Sequence, residues 1–454
     1  MNLKGKYSNV FLTIDNIEES AMNIIYNLMN HPAFTNDIAI MPDCHAGKSS
    51  CIGFTMKLSE RIVPQVVGVD VGCGMTSVNI GKNLPISYSE LESYIRKIVP
   101  TGMNIHTDEV YDMKNLFPWS EVNKSLCHFI SKYNIEFNKN ISVDKYSNLY
   151  TYDWFVKKCK ELGTDPKKVQ GSICSLGGGN HFLEFGKSKI NDDIWFTVHC
   201  GSRNFGLKVC EYHQNIAKQV IIDKRLHKLQ AEVLHIRNTV ARKDIESSIR
   251  NARKSLGLDF DGNFSGLEYL ENDDAFNYYI DMIFAQKYAE INRQEIVNAV
   301  VSYLNLKVID RIESIHNFID FDDLIIRKGA IRSYAGERII IPFNMSEGML
   351  FCVGKSNAEW NYSAPHGAGR VMSRAEAKRT LSMDDFAKSM EGIYTTSIVP
   401  AVLDEAKKCY KDSAMIEAAI EPTATIIDRI VPIINIKDMT SEGKDRFNKK
   451  NRNK

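Results

Sequence analysis

The sequence predicts an α/β protein with a central β core and helices packed around it. Short runs rich in β-branched residues, such as IVPQVVGVDV at 62–71, are typical of buried strands. Longer segments with apolar residues at helical spacing, above all 209–256 and 273–301, are typical of helices. With 454 residues, of which 44% are hydrophobic, the chain can bury a sizeable core.

The elements alternate along the chain, and polar residues concentrate in the connections. Asp43, His45 and Lys48 are predicted to lie in a turn between two apolar strands within 38–58. The other predicted strands are 10–14, 62–71, 181–185, 194–206, 325–330, 338–343 and 430–437, and a loop at 342–354 leads into one more. The predicted helices are 17–29, 88–99, 150–162, 209–256, 273–301 and one that starts at 374–379.

Composition excludes several classes of protein. A formal net charge of +1 gives no global case for binding nucleic acid or membranes. The N-terminus lacks the apolar segment of a signal peptide, and no apolar run reaches membrane-spanning length. The ten cysteines show no paired spacing, which predicts free thiols in a reducing compartment. We therefore expect a soluble, cytoplasmic protein with no membrane partner.

A glycine-rich turn follows the apolar run at 62–71. It reads DVGCGM and places the carboxylate of Asp70 three residues before the thiol of Cys73. This is metal-ligand spacing, although a D-x-x-C pair alone is a weak signal.

Two histidines lie in similar surroundings further along the chain. His181 follows a triple glycine in SLGGGNHFLEFG, and His199 precedes a glycine in IWFTVHCGSRNFG. Extended backbone at 181–185 would place His181 and Glu184 on opposite faces. One such histidine is usually a hydrogen-bonded core residue, but two bordered by glycine and polar groups favour a site.

The segment SAPHGAGRVMSR at 363–374 surrounds His366 with small residues and supplies a cation at Arg370. Small residues let the backbone approach a ligand closely, and the guanidinium suits phosphate oxygens. His366 is therefore a candidate nucleophile toward phosphorus, a base or a metal ligand. The competing interpretation is a glycine-rich turn with a capping histidine.

The candidate ligands exceed what one structural zinc requires. Two metals that share a bridging thiolate would use them all and leave positions open for a substrate. This mixed donor set suits manganese, zinc or cobalt. The candidate ligands are Asp70, Cys73, His181, His199 and His316.

The helical segment is basic between residues 223 and 254, with nine Lys/Arg against four Asp/Glu. A solvated outer face is the simpler interpretation, and a basic arm lying along a nucleic-acid backbone is the alternative. The polar stretch 441–454 is predicted to be disordered.

Seven blocks of the chain resemble, in the same order, those of the RtcB family of RNA-splicing ligases. The blocks are MPDCHAGKS, GVDVGCGM, GGGNHFLEF, VHCGSRNFG, SIHN, APHGAGRVMSR and INIK, spread over residues 41–437. The resemblance implies an RtcB-type fold with a deep metal-containing cleft. It implies one ligase domain at 1–440 with a partly basic helical insertion at about 223–257.

The resemblance also implies a GTP- and manganese-dependent RNA ligase acting in RNA splicing or RNA repair. Such an enzyme joins RNA ending in a 2′,3′-cyclic phosphate or 3′-phosphate to RNA with a 5′-hydroxyl, through a histidine–GMP intermediate. An activating protein partner is compatible with this activity.

By position, His366 matches the guanylylated histidine, and Arg203 and Arg370 match arginines that handle phosphates. One Mn²⁺ would be held by Asp70, Cys73 and His181, and the other by Cys73, His199 and His316. Positions matching contacts to the guanine nucleotide are Asn180, His181, Phe182, Leu183, Glu184, His316, Asn317, Pro342, Phe343, Asn344, Met345, Met349, His366, Gly367, Ala368, Gly369, Tyr410 and Lys437.

Asn344 and Met349 stand where the family carries small hydroxyl residues, and Pro365 precedes the histidine. These departures suggest a divergent paralogue. Two other functions remain: a metal-dependent phosphodiesterase that acts on RNA ends without GTP, and a non-catalytic RNA-binding relative. The complete set of candidate ligands argues against the last.

Overall fold

The computed structural model describes residues 1–256 and 266–440. Its strands, in chain order, are β1 Asn2–Lys4, β2 Asn9–Leu12, β3 Ile38–His45, β4 Ile52–Lys57, β5 Arg61–Ile62, β6 Gly74–Asn79, β7 Phe182–Ser188, β8 Ile194–Cys200, β9 Leu270–Glu271, β10 Asp310–Ile315, β11 Asn317–Asp320, β12 Ile325–Lys328, β13 Ala330–Arg332, β14 Arg338–Pro342, β15 Met349–Gly354, β16 Ser363–Pro365 and β17 Ala424–Ile436.

The helices are α1 Glu19–Met29, α2 Pro64–Val67, α3 Tyr88–Ile98, α4 Met113–Leu116, α5 Trp119–Glu136, α6 Tyr152–Glu161, α7 Pro166–Gln170, α8 Arg203–Thr239, α9 Ile245–Ser255, α10 Asn272–Tyr303, α11 Arg374–Thr380, α12 Met383–Ser389 and α13 Ser413–Ala419. Short 3₁₀ turns at Asp144–Tyr146, Ala358–Trp360, Pro400–Glu405 and Lys407–Cys409 complete the described elements. In the described part of the chain, no helix combines the length and apolarity needed to cross a bilayer.

Two large sheets form the core of this α/β fold. The seven-stranded sheet has the order β10-β6-β8-β7-β17-β15-β14, and every neighbouring pair in it is antiparallel. The six-stranded sheet has the order β1-β2-β3-β4-β12-β11 and contains one parallel pair, β2 with β3. The small β13-β16 pair carries the chain into the segment that contains His366. The predicted central β core is confirmed.

Helix α10 departs from the expectation that helices lie around the core, because it is buried along most of its length. It packs against β6 and β8 of the seven-stranded sheet. Its apolar residues surround the helix rather than forming one stripe, which is typical of a buried helix. The predicted helix at 273–301 is otherwise confirmed.

Two local predictions are wrong, and a third is wrong in part, because the strand predicted at 194–206 ends at Cys200 and α8 begins at Arg203. Apart from Ile62, the last residue of β5, the β-branched run at 62–71 is not a strand, since Pro64 begins the short helix α2 and the chain then turns through 69–72. Proline is well suited to the first helical position, and here it outweighs β-branched propensity. Asp43 and His45 lie within β3 rather than in a turn, although β3 loses its regular pairing with β4 between Ile40 and His45. Pro42 falls inside that irregular stretch, where a strand tolerates a missing N–H.

The predicted long helix at 209–256 is two helices, α8 and α9, joined by a short turn. The insertion predicted at about 223–257 corresponds to this region, and residue 257 lies outside the described residues. The tail predicted at 441–454 also lies outside them.

Candidate active site

Four neighbouring strands of the seven-stranded sheet carry predicted ligands to one edge. His316 follows β10, Cys73 precedes β6, His199 lies near the end of β8, and His181 precedes β7. Because these strands are antiparallel in the order β10-β6-β8-β7, the four positions meet at one edge. The His316 backbone N–H donates to the Cys73 carbonyl at 2.9 Å, and this hydrogen bond holds the backbone at these two ligand positions together.

The side chains form two ligand groups that share one sulfur. Cys73 Sγ lies 3.4 Å from Nε2 of both His181 and His199. His181 Nε2 lies 2.8 Å from Asp70 Oδ2, and His199 Nε2 lies 3.2 Å from His316 Nε2. Within each group the ligand atoms lie within 4.8 Å of one another. Oxygen, nitrogen and sulfur donors at this spacing can hold two metal ions bridged by a thiolate.

The electrostatics of the two groups favour a divalent cation. Burial, reinforced by the Asp70 carboxylate, raises the pKa of the Cys73 thiol to about 12. Burial, together with neighbouring cationic groups, lowers the pKa of both His199 and His316 well below the usual range. The imidazoles of His199 and His316 therefore offer lone pairs at neutral pH, and a bound cation would stabilise the thiolate. Burial opposes protonation of His181, but Cys200, Cys73 and Asp70 raise its pKa well above the usual range, so a cation bound there would replace a proton.

Glycines leave the space that the ligands occupy. A Cβ atom at Gly177 would lie 1.9 Å from His181 Nδ1, and one at Gly201 would lie 2.2 Å from Asp70 Oδ1. The glycines bordering these motifs are therefore required for close approach to the ligands.

Helix α10 holds in place the loops that carry the two ligand groups. Arg293, which is fully buried, donates from Nη1 to the carbonyls of Gly72 at 2.7 Å and Cys200 at 3.1 Å. Asn292 donates from Nδ2 to the Gly201 carbonyl at 3.1 Å. Sequence patterns did not indicate either residue, because each looks like an ordinary polar position in a helix.

His366 is paired with Asp43. Its Nδ1 lies 2.6 Å from Asp43 Oδ2, and its backbone N–H donates to the same oxygen at 3.2 Å. A carboxylate oxygen accepts, so this contact favours the neutral tautomer of His366 that has its proton on Nδ1 and a lone pair on Nε2. The His366 ring lies 4.9 Å from that of His316, measured between centroids. The His366 imidazole therefore lies beside the ligand group formed by Cys73, His199 and His316.

A cavity of about 660 Å³ opens over His366, His199 and His316. This is an ordinary volume for a small-molecule site. Its walls include the predicted positions Asn180, Phe182, Glu184, Asn317, Pro342, Phe343, Asn344, Met345, Gly367, Ala368, Gly369, Arg370, Tyr410 and Lys437.

Six predicted positions do not line the cavity. Asp70, Cys73, His181 and Arg203 are not on its wall. Leu183 and Met349 are packed in hydrophobic clusters, and Met349 accepts a hydrogen bond from the Thr197 hydroxyl at 3.6 Å.

One end of the cavity presents a buried carboxyl group. Asn435 donates from Nδ2 to Glu184 Oε2 at 2.8 Å, whereas Glu184 Oε1 is buried without a hydrogen-bond partner. Burial raises the pKa of Glu184 to about 8, against the opposing effects of Asn435 and Lys437. Nearby, the Lys437 ammonium lies 5.6 Å from the centre of the Phe182 ring. This end is therefore suited to a flat ligand that brings hydrogen-bond donors.

Glu405, which the sequence did not single out, joins the basic groups of the cavity. Its carboxylate accepts from Lys437 Nζ at 3.0 Å, from the Tyr410 hydroxyl at 2.8 Å and from Arg374. Arg370 Nη1 lies 3.6 Å away, buried and without a hydrogen-bond partner. Burial opposes ionisation, but Lys437 and the two arginines lower the pKa of Glu405 to about 2.

Arg203 lies outside the cavity, at the first residue of α8. Its Nη2 donates to the Gly102 carbonyl at 2.7 Å and its Nε to the Ser175 hydroxyl at 3.0 Å. The backbone φ of +55° at Arg203 is strained for a residue with a side chain. A Cβ atom at Gly177 would lie 2.9 Å from Arg203 Nη1, so this arginine flanks the His181 loop.

Comparisons with known proteins find relatives that match nearly the whole chain. The family model described as tRNA-splicing ligase RtcB matches residues 24–438. The RNA-splicing ligase RtcB of Escherichia coli K12 is 26% identical over 445 residues, which cover 93% of this chain and 95% of the relative. The tRNA-splicing ligase RtcB of Methanococcus maripaludis is 25% identical and covers 88% of this chain and 87% of its own length. That of Nanoarchaeum equitans is 24% identical, with 90% coverage of both chains.

Proposed function

The chain belongs to the RtcB family, and from this membership we propose that it is a GTP- and manganese-dependent RNA ligase. It joins RNA ending in a 2′,3′-cyclic phosphate or 3′-phosphate to RNA with a 5′-hydroxyl. The observation that carries the proposal is the Asp43–His366 pair beside the two ligand groups. A binding module would have no need for an oriented nucleophile next to two candidate metal sites.

The first step is guanylylation of His366. Nε2 attacks the α-phosphorus of GTP, a P–N bond forms, and pyrophosphate leaves with the electrons of the broken P–O bond. Asp43 keeps the proton on Nδ1 and stabilises the positive charge that develops on the imidazole.

The RNA 3′-phosphate then takes GMP from His366, which restores the free histidine. Finally the RNA 5′-hydroxyl attacks the activated phosphate, and GMP leaves. A cyclic end must first be opened by water to the 3′-phosphate. Arg370, whose Nη1 makes no hydrogen bond, can stabilise the phosphate oxygens in these steps.

The two ligand groups fit the metals that this reaction requires. Asp70, Cys73 and His181 would hold one Mn²⁺, and Cys73, His199 and His316 the other. Divalent ions supply charge neutralisation to the transferring phosphoryl groups.

Glu184 supports the choice of a guanine nucleotide. Its unpartnered Oε1, as a carboxylate, can accept from the N1–H and amino group of guanine. Adenine lacks this donor pair and would leave the buried carboxyl group unsatisfied. Discrimination of this kind reaches on the order of 10⁴-fold in favourable sites.

We also place the enzyme in the reducing cytoplasm, since Cys73 acts as a ligand only when it is not oxidised. The ten cysteines are all free thiols in the described structure, which supports this location. We propose that residues 1–440 form one ligase domain, to which an activating protein could bind.

The deciding experiment mixes the purified protein with labelled GTP and Mn²⁺, Zn²⁺ or Co²⁺ and measures the covalent adduct. Wild type should be labelled, His366→Ala should not, and the control His128→Ala should match wild type. Labelled protein is then given RNA with a 3′-phosphate and RNA with a 5′-hydroxyl, and should join them. Metal-dependent hydrolysis of RNA ends without any adduct would instead support the phosphodiesterase alternative.

A further inference from the structure

The distal part of α8, the turn after it and α9 form a helical hairpin at 223–256, which we name the basic arm. The two helices pack against each other, with Ile236 and Ala252 buried and Leu229, Val233 and Ile249 half-buried. The apolar residues that recur at helical spacing in the distal part of α8 are therefore covered by α9 within the hairpin. The outer surface of the arm is left polar.

That surface carries a local excess of positive charge. Residues 223–254 hold nine Lys/Arg against four Asp/Glu, whereas the whole chain has 57 against 56. The rest of the chain is therefore slightly acidic. Six of these cations are exposed and, within the described ranges, have no ion-pair partner: Lys228, Arg237, Arg242, Lys243, Arg253 and Lys254.

The charge is not neutralised by pairing within the arm. Arg250 lies 3.7 Å from Glu246, but their side chains are 78% and 91% exposed, so the pair is weak and screened. The exposed large apolar residues in the arm are limited to Leu226 and Leu234. The arm therefore offers many cations and little apolar surface, which suits a polyanion better than a lipid bilayer.

Helix α8 connects the basic arm to the two ligand groups. It begins at Arg203, beside the loop where Gly201 approaches Asp70, and runs for 37 residues. At 1.5 Å per residue, Lys228 is about 38 Å along the helix axis and Thr239 about 54 Å. A nucleic-acid strand advances about 3.4 Å per nucleotide, so this distance corresponds to roughly 10 to 16 nucleotides.

We propose that the basic arm binds the phosphate backbone of the substrate RNA, about ten or more nucleotides from the ends that are joined. This role rests on the proposed function, because that function makes RNA the polyanion held near the start of α8. The arm thereby favours long or structured RNA over short oligonucleotides. The contacts are to phosphates, so they are independent of base sequence.

The test compares two quadruple variants that lose the same charge. The arm variant is Arg242→Gln, Lys243→Gln, Arg253→Gln and Lys254→Gln. The control, on the exposed surface of α6 and α7, is Lys157→Gln, Lys160→Gln, Lys167→Gln and Lys168→Gln. Fluorescence anisotropy measures the affinity of each full-length protein for a 6-nucleotide and a 30-nucleotide RNA between 50 and 300 mM salt.

The arm variant should bind the 30-nucleotide RNA at least about tenfold more weakly than wild type at low salt. The slope of log K against log salt should become shallower by about 2 to 3, because each lost phosphate contact contributes about 0.7. The arm variant's affinity for the 6-nucleotide RNA should stay within about twofold of wild type. The control variant should bind both RNAs within about twofold of wild type.

Equal losses in the arm and control variants, or an equal loss for both RNA lengths, would overturn the proposal. The proposal would also be overturned if the arm variant bound the 30-nucleotide RNA as tightly as wild type does. If that variant had also lost binding to anionic vesicles, the arm would be assigned to a membrane surface. Labelling with GTP separates this proposal from the proposed function. An arm variant that is labelled normally but binds long RNA poorly supports both the role of the arm and the proposed ligase function. Absence of labelling in the wild-type protein contradicts only the proposed ligase function.

Discussion

Asp43 on β3 holds the Nδ1 of His366 at 2.6 Å, although 323 residues separate the two in the chain. The carboxylate is fully buried, and Gly369 must be glycine because a Cβ there would lie 2.2 Å from the Asp43 carbonyl oxygen. The orientation and tautomer of His366 therefore depend on a residue of the six-stranded sheet, whereas the predicted metal ligands lie at the end of the seven-stranded sheet.

The first prediction concerns this pair. Asp43→Asn should lower the rate of His366 guanylylation by on the order of 10²–10⁴-fold, because the amide no longer favours the tautomer with a proton on Nδ1. Single-turnover labelling with GTP measures the rate. Asp192→Asn, on the exposed surface, is the control. A rate within threefold of wild type would show that Asp43 does not orient the nucleophile.

Glu184 should make nucleotide binding dependent on pH. Its pKa in the free protein is about 8, and guanine donors favour the carboxylate, so binding lowers that pKa. The affinity for GTP should therefore rise between pH 6 and about 8 and level off above. Calorimetric titrations at pH 6 to 8.5 test this, with Glu184→Gln as the comparison. The variant should lose the rise in affinity, and a wild-type profile no steeper than that of the variant would contradict the role of Glu184.

The shared sulfur predicts a pattern of metal content. Cys73→Ala should lose both ions, whereas Asp70→Asn and His316→Ala should each retain about one per chain. Equilibrium dialysis with Mn²⁺ followed by elemental analysis measures the stoichiometry. Cys352→Ala, which removes a buried thiol in another cluster, should keep the wild-type content. Retention of one full site in Cys73→Ala would mean that the thiolate does not bridge.

Glu405 should contribute to stability above pH 4.5 and progressively less below it. Its folded-state pKa of about 2 is depressed from 4.5, so the stabilisation is present above the unfolded value and is lost as the pH falls. The shift corresponds to at most about 3 kcal/mol. Glu405→Gln should therefore lower the thermal midpoint by a few degrees at pH 7 and by less at pH 4. The exposed Glu421→Gln should change neither midpoint, and an equal loss at both pH values for Glu405→Gln would contradict the linkage.

Features that depend only on a short segment of the chain can be predicted from the sequence. The ligands stand beside glycines because their loops approach other atoms closely, as Gly177 and Gly201 show, and this requirement is visible in the sequence. The strand that carries His199 also follows from a local apolar pattern.

Residues whose role depends on distant packing were missed. Glu405 lies in a 3₁₀ turn with no glycine or histidine nearby, and its partners Arg374 and Lys437 come from other elements. The sequence predicts a turn at Asp43 and no partner for it, since nothing near residue 43 indicates that β3 lies next to His366.

The position of β17 has a consequence for the synthesis of the protein. This strand lies between β7 and β15 in the seven-stranded sheet, and Lys437 directly follows it. Until residue 436 has been made, β7 and β15 each lack a neighbour and expose an unpaired strand edge, which invites aggregation. A chain interrupted anywhere earlier also lacks Lys437, one of the groups held by Glu405. Chains that end before Lys437 therefore cannot assemble the complete cavity.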